Sequence, residues 1–130
     1  MSNVMLQLGQ YVFSLDTAAY QHLKRSYPYS WQSQERIRRT PAQQYMGPGA
    51  QQITLNGTIY PLFKGGLGQI EALKKEATLG KPLLLVDGTG TVWGSWCIQE
   101  ITETQAVFYR DGTPMKIRFN LQLIAYGDDA

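Results

Sequence analysis

The chain has 130 residues, 43% of them hydrophobic, the size of one domain able to bury roughly two thirds of its unfolded surface. Its net charge is +2 with a single cysteine and a single histidine, which excludes a disulfide within the chain and a cysteine-based zinc site, and no metal or other cofactor is expected. No apolar run approaches the roughly 18 residues of a membrane helix and no cationic segment precedes an apolar stretch near the start, so the expectation is one domain over residues 1–130, made in a reducing cytoplasm, with no membrane partner and no export signal.

In the opening "NVMLQLGQYVFSL", Val4, Leu6 and Leu8 share one strand face, and Tyr11, Phe13 and Leu15 share one beyond Gly9. A bulge or sharp coil at the glycine accounts for the switch and predicts one long, bent strand. In "DTAAYQHL", Asp16 is a good N-cap for a short helical turn, after which the chain turns extended at Pro28. The segment from Arg38 to Gln51 is polar and rich in Pro and Gly, which predicts a long functional loop. Strict alternation returns in "QQITLNGTIYP", where Ile53, Leu55 and Ile59 are apolar and Thr54, Asn56 and Thr58 are polar, as in a half-buried antiparallel strand.

One segment changes period. In "GGLGQIEALKKEATLGKP", Ile70, Leu73 and Ala77 fall on one helical face with Leu67 near it, Glu71 reaches Lys75 at i+4, and Gly80 with Pro82 stops the run. A helix from Leu67 to Leu79 is predicted. Two strands are expected between Val92 and Tyr109, then a hairpin turn at "RDGTP" and a long strand in "MKIRFNLQLIAY", with Met115, Ile117, Phe119, Leu121 and Leu123 alternating with polar residues. The predicted fold class is α+β, mainly β: an antiparallel β-sandwich or partly closed barrel with one flanking helix.

Candidates for chemistry are few. "LLLVDGTG" runs a strand into an Asp and two glycines, but phosphate loops need a helix terminus behind the glycines, and "TVWGSWCIQEI" reads as another strand. Asp87-Gly88 is therefore a hairpin turn. Cys97 and His22 form the sole thiol–imidazole pair available, and nothing near either activates a thiolate, so a packed cysteine and a surface histidine are expected. Asp128 and Asp129 are expected in a solvated tail. No catalytic residue emerges, and the chain reads as a non-enzyme.

Tyr27, Tyr29 and Trp31 near Arg36, Arg38 and Arg39 permit two readings: a stacking platform for single-stranded nucleic acid, or the centre of a protein interface. Residues 1–64 hold six Lys/Arg against two acids and residues 65–130 six against eight, too weak an excess for a dedicated polyanion binder. The interface reading is favoured, without sequence-specific nucleic-acid binding. Tyr45 and Met46, in the predicted loop, are contact groups for a neighbouring subunit, or else fold back over the domain's own sheet edge. A nucleic-acid or oligosaccharide module with an OB-like barrel is the alternative of a different class.

The segments "LGQYVFSL", "PAQQYMGPGAQQITLNGTIYP", "GGLGQIEALKKEATLGKPLLLVDGTGTVWGSWCIQEI" and "DGTPMKIRFNLQLIAY", in that order, resemble the tail protein U family of P2-like contractile phages over nearly the whole chain. The resemblance implies a tail-tube-like domain with no catalytic residues, needed for assembly of a contractile tail or tail-derived particle. It further implies self-association into a ring of six, placement near the junction of tube and baseplate, tail-tube and baseplate-hub proteins as partners, and assembly in the bacterial host cytoplasm. The subunit contacts expected from the residues are then Tyr29, Trp31, Arg36, Arg38, Arg39, Tyr45 and Met46.

Overall fold

The computed structural model describes residues 4–14, 20–60 and 68–127. In chain order these form β1 (Val4–Leu8), β2 (Tyr11–Ser14), β3 (Tyr20–Ser26), β4 (Tyr29–Arg36), β5 (Arg39–Pro48), β6 (Gln52–Ile59), α1 (Gln69–Thr78), β7 (Leu83–Asp87), β8 (Val92–Phe108) and β9 (Pro114–Ala125). Seven strands make one antiparallel sheet in the order β2-β1-β7-β8-β9-β6-β3, and β4 pairs with β5 in a separate two-stranded sheet.

The alternating residues decide which face is dry. Ile53 and Leu55 on β6 lie opposite Leu123 and Leu121 on β9, and all four are buried. Phe119 and Ile117 continue the same face, while Asn56, Asn120 and Arg118 point the other way. The sheet then curls around its apolar face. Phe13 on edge strand β2 stacks against Phe119 on β9 with ring centroids 6.4 Å apart, and meets Tyr20 on the opposite edge strand β3 at 6.1 Å, edge to face. Helix α1 seals the remaining opening with Ile70 and Leu73, and its Glu76 accepts a hydrogen bond from the Gln10 amide at 2.8 Å. The result is a partly closed barrel with one flanking helix, as expected.

Several boundaries differ from the sequence reading. The first strand is a hairpin of two, with Leu8 opposite Tyr11 and Gly9 in the left-handed region at φ +58°. A side chain at Gly9 would collide with Glu76 and Leu83, so the turn is held against the helix. Tyr20 to Leu23, expected in a helical turn, belong to β3, because Leu23 and Tyr20 pack on the core while pairing with β6 satisfies the backbone; Asp16 lies outside the described residues. The expected loop from Arg38 to Gln51 is largely strand β5. The two strands expected between Val92 and Tyr109 are one strand of 17 residues whose register shifts between Ile98 and Glu100. Helix α1 is shorter than Leu67 to Leu79, Leu67 lying outside the described residues, and Glu71 pairs with Lys74 at 3.1 Å instead of Lys75. Gly80 ends it at φ +66°. A seven-stranded sheet in this order is not the five-stranded barrel of an OB module.

Candidate interaction surfaces

The β4–β5 hairpin gathers all seven residues expected at a subunit contact. Pro28 and Gly49 clasp its base through a 2.8 Å backbone hydrogen bond, and Ile37 with Arg38, the latter at φ +60°, forms its two-residue tip. Trp31 lies opposite Tyr45 with ring centroids 4.9 Å apart, both about half exposed. The register skips Met46, which bulges out beside them and is exposed. Beyond the rings, Gln34 hydrogen-bonds Gln44, and Arg36 donates through Nε and Nη2 to the Thr40 carbonyl at 3.2 and 2.8 Å. Arg36 and Arg38 flank Ile37, which is 90% exposed, and Arg39 follows. Every residue of β4 is exposed, so the arm buries no core of its own. Tyr45 and Met46 do not fold back over the main sheet.

Tyr27 belongs elsewhere. At the root of the arm the Arg25 guanidinium lies 5.0 Å from the Tyr27 ring, 4.8 Å from Trp93 and 5.4 Å from Trp96, and donates twice to Gln51 Oε1, at 3.1 and 2.7 Å. This cluster joins edge strand β3 to β8 across the curl. A further surface was not legible as a site in the sequence. At the β8–β9 turn, Val107, Phe108 and Tyr109 are consecutive and exposed, and Val107 sits at φ +56°. A β-branched residue in that region is strained, a condition that persists where the surroundings or a function impose it.

The Asp87 turn binds itself. Its Oδ1 accepts from the Thr89 hydroxyl at 2.7 Å and from the Thr89 and Thr91 amides at 2.9 and 3.0 Å, while Oδ2 accepts from the Trp93 indole at 3.1 Å. The Thr89 hydroxyl above all, with those other donors, holds the carboxyl at about 2. Burial, with the negative charge of Asp87 adding, raises the Tyr20 phenol. His22 Nδ1 lies 3.1 Å from Asn56 Oδ1, and two strands separate β3, which carries it, from β8, which carries half-buried Cys97. Among the described residues no three His, Cys, Asp or Glu side chains converge on one point. Asp128 and Asp129 lie outside those residues.

The curled antiparallel sheet shares its fold with chains of gene transfer agent particles. It matches a chain in the virion of a native gene transfer agent particle with a TM-score of 0.59 at 13% identity, covering 97% of this chain and 92% of that one. A chain in the tail of an empty gene transfer agent particle, refined with C6 symmetry, matches with a TM-score of 0.56 at 12% identity over the same shares. The protein belongs to the Phage P2 GpU family, whose family model matches residues 9–128, and is a phage-tail structural component. It is also 33% identical over 127 residues to a probable tape measure protein of Halomonas phage phiHAP-1, a match that spans 96% of this chain and 14% of that relative.

Proposed function

We propose that this chain is a non-enzymatic, ring-forming subunit of a contractile phage tail or tail-derived particle, with six copies closing a ring near the junction of tube and baseplate. The single observation that carries the reading is the β4–β5 arm. No residue of these two long strands joins the buried core, Trp31, Tyr45 and Met46 stay about half exposed, and an apolar surface presented in this way serves a neighbour. Among the described residues β3 also lies at one edge of the main sheet, with β6 as its partner strand, a position that suits pairing with another copy. Repeating one such contact head to tail closes a ring when the rotation per subunit fits. Sixfold symmetry is supported by the C6 particle tail that shares the fold.

The flanking partners are tail-tube and baseplate-hub proteins. The relative in which this domain forms a small share of a tape measure protein supports a tape measure protein as a further neighbour. The particle assembles in the bacterial host cytoplasm. Native mass measurement of the purified chain tests the reading: a ring gives a discrete sixfold multiple of 14.7 kDa. A monomer at every concentration, in the presence of tube subunits as well, overturns it.

A further inference from the structure

We infer that the β8–β9 turn of one copy docks into the cavity between α1, β7 and β8 of a neighbouring copy, with Phe108 as the inserted side chain. The inference rests on the ring reading and names a contact within it that the arm does not supply. The donor surface is built. Among the described residues β9 pairs with β6 from Ile117 onward, the β8–β9 hairpin continues past that pairing through Ala106 to Met115, and its end carries exposed Val107, Phe108 and Tyr109. The strained φ of Val107 lies next to that aromatic pair, at the point where the strand must redirect it.

The acceptor is a cavity of about 330 Å³ lined by Ala77, Pro82, Leu83, Cys97, Ile98 and Tyr126. Its walls are mostly apolar and its volume admits one aromatic ring. The Gly80-Lys81-Pro82 exit of the helix forms one side, which gives that segment a role beyond ending α1. Charge placement selects a second copy as the occupant. The cavity is bordered by Glu76 and Lys81, and Phe108 is followed closely by Arg110 and Asp111, so each charge of the tip finds an opposite one at the border. Glu76 spends one carboxylate oxygen on the Gln10 amide, and the other is available to Arg110.

Geometry forbids the contact within one chain. Phe108 ends β8 and Cys97 lies eleven residues before it, roughly 36 Å away at the rise of a strand. The same two surfaces, set apart along that strand, make a head-to-tail contact that repeats from copy to copy.

The native Cys97 supplies the test. Phe108→Cys, assembled and then exposed to oxidised glutathione, is expected to form disulfide-linked multimers whose cross-linked peptide joins residues 97 and 108; adding Cys97→Ser abolishes that linkage. Phe108→Ala is expected to raise the concentration for half-assembly about tenfold or more while the monomer melts as wild type. A ring that assembles normally in Phe108→Ala and gives no 97–108 linkage in Phe108→Cys overturns the docking alone. A chain that stays monomeric under every condition overturns the ring reading and the docking with it.

Discussion

The indole N–H of Trp93 donates to Asp87 Oδ2 at 3.1 Å, and the other oxygen of that carboxylate is taken by Thr89 and Thr91. The Asp-Gly segment most like an anion site in the sequence thus directs its charge at its own turn and at a ring packed on Arg25. Stability should depend on acid accordingly. The folded-state value of about 2 lies below the ordinary carboxyl range, so the stabilisation is complete above about pH 4 and is lost as pH falls from there toward 2. Asp87→Asn is expected to assemble, and the gap between its melting temperature and that of wild type should be constant from about pH 5 to 7 and narrow below about 4. A gap independent of pH would mean that the carboxylate charge contributes nothing there.

Gly88 is needed for space and Gly90 for conformation. A Cβ on Gly88 would stand 2.3 Å from the Val4 carbonyl oxygen, backbone that cannot yield without moving β1, whereas Gly90 has φ +91° and open space around it. Gly88→Ala should cost about 3 kcal/mol, at the upper end for overpacking, and Gly90→Ala about 1 kcal/mol. Urea titration of the two variants checks the order, and equal costs would contradict it.

The arm should be separable from the fold. Because Pro28 and Gly49 are already joined at its base, replacing residues 29–48 with a short Gly-Ser linker leaves the main sheet intact. The expected outcome is a cooperative melt within a few degrees of wild type together with loss of ring or tail formation. Global unfolding, or normal assembly, would remove the arm from its proposed role.

Val107→Gly should be neutral or mildly stabilising, unlike most Val→Gly changes in strands. Relief of the left-handed backbone gives back roughly 1–2 kcal/mol, and the added freedom of glycine in the unfolded chain removes roughly 0.5–1. The side chain is mostly exposed, so little packing is lost. A thermal melt lowered by many degrees would show that the side chain, not the strain, dominates at this position.

The residues of the arm illustrate where sequence reasoning stops. Trp31, Tyr45 and the arginines stand out in the sequence as candidate contact residues by their chemistry, yet residues 39–48 read as a loop because Pro41, Gly47, Pro48 and Gly49 hide the strand pattern. A strand whose two faces are both exposed carries no period-2 signal, since neither face is required to be apolar. The Phe108 tip was missed for a related reason. An apolar residue at a strand end looks like core until its exposure at the β8–β9 turn is known.

Sequence alone determined the face of β6 and β9 that is buried, the helix with its glycine stop, the Asp-Gly turns and the family. Each of these depends on side-chain order over a few residues, or on segments recurring in a fixed order along the chain. Tertiary structure decided that the chain folds back at Gly9, that Tyr20 to Leu23 extend into an edge strand, and that Phe13 and Tyr20 meet across the curl. It also decided that β7 pairs with the Val92–Trp96 end of β8 while α1 lies beside the middle of that strand, near Ile98. Those outcomes turn on pairings between residues far apart in the chain, where burial of a shared core outweighs the weak local preference for turn, bulge or helix.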